Sequence, residues 1–297
     1  MLKAIKSAFL HLRLPFSWFL LPFFLAPLCI SPNFDDKRLG LVFLILHFLI
    51  YPASNSFNSY FDKDQKSIGG LKVPPPVTKL SYYISLILDV LALYLALRIS
   101  IWFELFVAGY ILASRAYSHP STRIKKYPVL GLFYTSFFQG YFTVCAVYLG
   151  LNGYEPWNLL SAKVQWLGLL CSLLLLGIYP LTQVYQHEED GSRGDFTFSR
   201  MLGIKKTLWF SMIVFFLSVV GFVFYFENFL FVPLRDIFLI SLNPATLFFL
   251  FWLIKVYQDE KYVRYSYVMW ILFLASSGMN YYLFRAFLVN TNVLQVF

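Results

Sequence analysis

Long apolar runs separated by short polar stretches dominate the chain, and nine of them approach the roughly 20 residues a membrane-crossing helix requires. They lie at about 10–30, 40–61, 80–97, 101–117, 128–150, 161–182, 206–226, 237–255 and 265–287. The pattern predicts an all-α integral membrane protein whose nine transmembrane helices form a bundle around a central cavity. Pro52 and Gly109 fall inside runs, where neighbouring helices can satisfy freed backbone groups. Lys3 and Lys6 ahead of the first run give it the look of a signal peptide. No clear small-residue cleavage site follows, and Arg13 sits just before the run from about 16 to 30, so a retained first helix is expected.

Composition agrees with a lipid-solvated chain. Hydrophobic residues make up 59% of the 297 positions and charged residues 13%, about half the share in an average soluble domain. The net charge of +9 is read as topology, because no stretch outside the runs is long enough to present a basic nucleic-acid-binding face. Nine spans put 18 of the 24 Lys and Arg on one side and 6 on the other. By the positive-inside rule the N-terminus is cytoplasmic and the C-terminus outside. The chain then forms one transmembrane domain over 1–297, with cytoplasmic loops at about 62–79, 115–127 and 187–205. Cys29, Cys145 and Cys171 lie within apolar runs without metal-ligand spacing and read as packing residues.

Candidate chemistry gathers at that side. The second run ends in Asn55, Asn58 and Asp62, which share a helical face. The sixth ends in Gln183, Gln186 or His187, and Asp190, again three or four residues apart. Such groups at membrane depth are functional candidates by default. Facing carboxylates are comfortable only with cations between them, and oxygen ligands at the mouth of a bundle suit Mg²⁺ carrying a diphosphate. The basic loop with Arg115, Tyr117, His119, Arg123, Lys125 and Lys126 supplies phosphate grips. A transporter would place its ions at the midplane, whereas these groups lie at helix ends.

At these residues the sequence resembles the UbiA superfamily of intramembrane prenyltransferases. Asn58-Ser59-Tyr60-Phe61-Asp62-Lys63-Asp64-Gln65-Lys66 follows the form N-D-x-x-D-x-x-x-D, with Lys72, Pro74 and Thr78 downstream. Tyr117-Ser118-His119-Pro120, Arg123, Lys125, Leu130 and Gly131 form a second similar stretch. Gln186, Asp190, Gly194 and Thr197, followed by Leu202-Gly203, resemble the D-x-x-x-D motif. Ser59, Lys66 and Gln186 stand where the family carries Asp.

The resemblance implies Mg-assisted transfer of a polyprenyl group from its diphosphate to a lipophilic acceptor, an aromatic or quinone-precursor compound, in a bacterial inner membrane. It assigns Asn58, Asp62 and Asp190 to catalysis, and Asp62 and Asp190, with Asp64 and Asn58 as further ligands, to the metal. Lys66, Lys72, Tyr117, Arg123 and Lys125 would bind the diphosphate. Lys66, an ammonium in a carboxylate's position, suggests one Mg²⁺ plus Lys66 in place of two ions. His187 is a candidate base. The alternative is a UbiA-fold protein that binds a prenyl lipid without ordinary turnover.

Overall fold

The computed structural model describes residues 2–230 and 235–290. Nine helical segments account for most of them: α1 (Leu2–Cys29), α2 (Asp36–Asp62), α3 (Lys79–Leu97), α4 (Ile101–Ser118), α5 (Pro128–Asn152), α6 (Ala162–Thr182), α7 (Ile204–Phe229), α8 (Arg235–Gln258) and α9 (Tyr265–Asn290). All but α4 and α9 are long and apolar enough to cross a membrane. Those two coincide with predicted runs but are diluted by polar residues, among them Glu104 and Arg115 in α4 and Ser276, Ser277 and Asn280 in α9.

Local chemistry sets the helix limits. Ser100 caps α4 by accepting from the Phe103 N–H at 3.1 Å, satisfying a donor that the first turn leaves free. Pro128 opens α5 at the first helical position, where a missing N–H costs nothing. Lys63 ends α2 with a left-handed backbone, φ 51°, so the loop leaves the helical phase directly after Asp62. Arg13 adopts φ 50° and divides α1 into an outer and an inner part. Widened turns with i→i+5 bonding interrupt α2 at Ile45–Ile50 and α5 at Phe137–Phe142.

Neighbours pack as α6 on α7, α7 on α8, α8 on α9, α9 on α1, and α1 on α5, while α2 packs on α3 and α4. The bundle therefore closes around an interior. α3 shows what kind of interior it is: Ser81, Ser85, Asp89, Ala92 and Ala96 are buried, whereas Ile87 and Val90 are 65% and 67% exposed. Small and polar groups face inward and bulky apolar ones outward, the arrangement expected where the solvent is lipid.

One element differs from the sequence expectation. The sixth span does not continue helically through Gln183 to Asp190. Pro180 sits in a tight 3₁₀ turn at Tyr179–Thr182, and Asp190 belongs to a separate short helix, His187–Ser192.

Candidate active site

The ends of α2 and α4 and the segments following α2, α4 and α6 converge. Asp62, the last residue of α2, accepts from the ammonium of buried Lys125, and Arg123 Nη2 lies 3.4 Å from the same oxygen. Arg123 also grips Asp195 with two hydrogen bonds, Nε to Oδ1 at 2.7 Å and Nη2 to Oδ2 at 2.8 Å. Arg193 donates to Asp64 through Nη1 and to Asp190 Oδ1 through Nη2, the latter at 2.8 Å. Glu189 Oε1 accepts from the Gln65 and Lys66 N–H groups at 2.7 and 2.9 Å. Two segments more than 120 residues apart are thus stitched together by charge-assisted bonds, the stronger class of hydrogen bond.

These pairs sit in a poorly hydrated setting and their protonation follows it. Burial pushes the Asp190 carboxyl up to about 6 against the opposing pull of Arg193 and Lys125. Asp64 is raised as well, by burial and then by the neighbouring charge of Asp62. Burial acts upward on Asp195 too, but the hydrogen bonds from Arg123 and the charge of Lys125 hold it below the ordinary carboxylate value. For Arg193, burial is outweighed by Asp64 and Asp62, so the guanidinium is held protonated. These are the expected responses to desolvation and to opposite charge.

The cluster forms one end of a cavity of about 240 Å³. Asn55, Asn58, Asp62, Asp64, Lys125, Gln183, Gln186, Asp190, Arg193 and Asp195 line the polar part. Phe16, Phe19, Phe23, Leu174, Phe215, Phe222, Phe238, Leu272 and Met279 line the apolar part. Tyr117 and Tyr179, hydrogen-bonded to each other through their hydroxyls, line the cavity as well. A space with a charged end and an aromatic chamber suits an amphiphile with an anionic head and a hydrocarbon tail.

Asn58, Asp62, Asp64, Tyr117, Lys125 and Asp190 are brought to the cavity, and Arg123 stands behind it on Asp62 and Asp195. Lys66 and Lys72 are not brought there. The Lys66 ammonium pairs with Glu188 on the outside, with side chains 57% and 83% exposed, and Lys72 is exposed. His187 bonds Ser199 Oγ at 2.7 Å and does not line the cavity, and burial and Arg200 lower its pKa. Ser59 is buried, its hydroxyl without a hydrogen-bond partner among the described residues, while Gln186 reaches the Ser67 carbonyl at 3.3 Å.

Two cations enter the wall that spacing alone does not assign to it, Arg193 and Arg13. Arg13 donates to the carbonyls of Gly69 and Asn55 at 3.2 and 3.1 Å. Its sequence does carry a signal, since an Arg interrupting an apolar run is expensive unless it serves a cavity. Arg193 carries only the weaker signal of lying three residues after Asp190.

Residues 19–277 match the UbiA prenyltransferase family. The chain belongs to that family. It is similar in fold to a UbiA homolog from Archaeoglobus fulgidus solved with GPP and Mg²⁺, at 19% identity and a TM-score of 0.66, covering 94% of this chain and 99% of that one. The DMAPP and Mg²⁺ complex of a UbiA homolog from the same organism gives 19%, a TM-score of 0.65 and the same coverage. A structure described for digeranylgeranylglyceryl phosphate synthase in membranes gives 18% and 0.60, covering 96% of this chain and 100% of that one. No curated protein matches by sequence. Family membership and the apolar helices make this a multi-pass integral membrane protein.

Membership of this family raises a question of fit for Mg²⁺. The expected ligands are engaged otherwise: Asp62 by Lys125, Asp64 and Asp190 by Arg193, and Asn58 by Ser118 Oγ at 3.0 Å. Among the described residues no three His, Cys, Asp or Glu side chains gather on one point. This donor set does not fit a carboxylate cage for two ions, because each acidic group already has a basic partner.

Proposed function

We propose that this protein is an intramembrane prenyltransferase that transfers a prenyl group from its diphosphate to a lipophilic acceptor. The observation that carries the reading is the single cavity joining the Lys125, Arg193, Asp62 and Asp190 cluster to a chamber walled by Phe and Leu. UbiA homologs of the same fold have been solved with GPP or DMAPP and Mg²⁺, which supports the same substrate class here. Asn58, Asp62 and Asp190 are the catalytic set, with Tyr117 and Lys125 toward the diphosphate and Arg123 behind them, holding Asp62 and Asp195. Nine spans and a cytoplasmic N-terminus put the charged loops inside the cell, a reading supported by the Lys and Arg asymmetry.

The chemistry follows from what these groups do. The bond between the prenyl C1 and the diphosphate oxygen breaks, and its electron pair leaves with the diphosphate. Lys125 and Arg193, fixed in advance by their Asp partners, meet the charge that develops there, the electrostatic effect that is usually largest in catalysis. Asp62 orients Lys125, and Asp195 orients Arg123. The allylic cation left behind lies among aromatic rings whose faces attract it, in a chamber walled largely by apolar side chains. The acceptor forms the new bond to C1 and gives up a proton, which the departed diphosphate takes. Because the acidic set does not fit a two-ion cage, the chain's own cations carry charge stabilisation that a second ion would otherwise supply.

A second reading, lipid binding without turnover, is favoured by the carboxylates replaced at Ser59, Lys66 and Gln186. Incubating purified protein with radiolabelled geranyl diphosphate separates the two. Release of diphosphate supports the transferase, and saturable binding without release supports the alternative.

A further inference from the structure

We propose that the guanidinium of Arg193 is a built-in substitute for a bridging metal ion, so that the protein binds a prenyl diphosphate in the absence of divalent cations. The inference rests on the prenyl-diphosphate reading above and assigns a role to a residue outside the expected set.

Arg193 stands where the two acidic loops face each other. One of its nitrogens donates to Asp64 of the first loop, another to Asp190 of the second at 2.8 Å, and Nε lies 3.6 Å from Asp195 Oδ2. Opposed carboxylates need a cation between them. Mg²⁺ meets that need with short, near-octahedral oxygen contacts and usually keeps several waters. A guanidinium meets it with a rigid, permanently charged fork. The fork fills the gap between Asp64 and Asp190, and its Nε is buried without a hydrogen-bond partner among the described residues. Of the five N–H groups a guanidinium carries, two are committed to carboxylates, which leaves donors for a phosphate oxygen in the cavity that Arg193 lines.

The sequence changes point the same way. Ser59, Lys66 and Gln186 remove three negative charges relative to the motifs this chain resembles, and those charges would have required metal. The four remaining carboxylates, Asp62, Asp64, Asp190 and Asp195, each pair with at least one of three cations, Lys125, Arg123 and Arg193, which leaves the cluster one positive charge short of neutrality. Arg13, which lines the same cavity without an acidic partner within ion-pair distance among the described residues, brings the count to four cations against four carboxylates and is the one not held by an Asp when an anion enters.

The test is calorimetric binding of a hydrolysis-resistant thiolo analogue of geranyl diphosphate to the detergent-purified full chain, once with EDTA and once with Mg²⁺. The wild type is expected to bind in EDTA within about threefold of its affinity in Mg²⁺, since charge-assisted bonds from the protein supply the phosphate contacts. Arg193→Gln is expected to lose roughly 10- to 100-fold in EDTA, the loss of one or two such bonds. Adding Mg²⁺ should recover much of that loss, because Asp64 and Asp190 are then free to hold an ion. Arg193→Lys, which keeps the charge, controls for a folding defect, with elution from size-exclusion chromatography as the check. If the wild type binds only with Mg²⁺, or if Arg193→Gln binds in EDTA as well as the wild type, the proposal is overturned and the prenyl-diphosphate reading stands. If the wild type binds in neither condition, both fall.

Discussion

Lys125 is 8% exposed, sits on Asp62 and lines the cavity, so its charge is available to a phosphate in a place where water screens little. Lys125→Ala should weaken binding of the thiolo analogue by roughly 10- to 100-fold, the value of one charge-assisted bond in a buried site. Lys66→Ala should change it by less than about twofold, because a pair this exposed contributes little. Both are read by the same calorimetry. Asp190 gives a test in pH. Its carboxyl is raised to about 6 in the folded protein, so the native state holds the proton more tightly than the unfolded chain does. Stability from this group is fully present below the unfolded value near 4 and is lost as pH rises through about 6, by on the order of 2–3 kcal/mol. Thermal unfolding in detergent across that window should show a smaller loss with rising pH in Asp190→Asn than in the wild type.

Helices are legible in the sequence because apolar runs and their punctuation are local properties. The same reasoning puts Asp62 and Asp190 on one side and the basic loop with them. Helical spacing misleads where a helix stops. Lys66 shares a motif spacing with Asp62, but the left-handed Lys63 ends α2 first, and residues beyond it no longer follow a helical face. Pro180 has the same effect at the end of α6, although Gln183, Gln186 and Asp190 still reach the cavity. Arg193 is illegible for a different reason: its meaning lies in Asp64, 129 residues away, and only the packing of two loops reveals it. Close helix contacts can be tested through glycine. A Cβ at Gly140 would meet the Ser172 backbone at 2.6 Å, pressing α5 away from α6. Gly140→Ala should cost about 1–3 kcal/mol as overpacking. Gly40→Ala, whose Cβ meets nothing within 4 Å, should be neutral or stabilising by about 0.4–1 kcal/mol. Thermal unfolding of the two variants in detergent checks the contrast.

The bundle as a whole performs two tasks with one cavity. In the proposed reading its loops hold fixed cations around a position for a diphosphate, and its helices wall the chamber beside it with apolar side chains. Neither is useful alone, since a carbocation formed in water is quenched and an apolar chamber without charge stabilisation leaves the C–O bond intact. The combination is what a prenyl transfer requires. Whether the protein performs one is decided by following diphosphate released from radiolabelled geranyl diphosphate by the purified protein, with membrane lipid extract as the acceptor source. Release by the wild type is expected, with a rate lower by roughly 100-fold or more in Lys125→Ala, the effect of losing one preorganised electrostatic group. Binding without release, or release equal in wild type and Lys125→Ala, would contradict the transferase assignment.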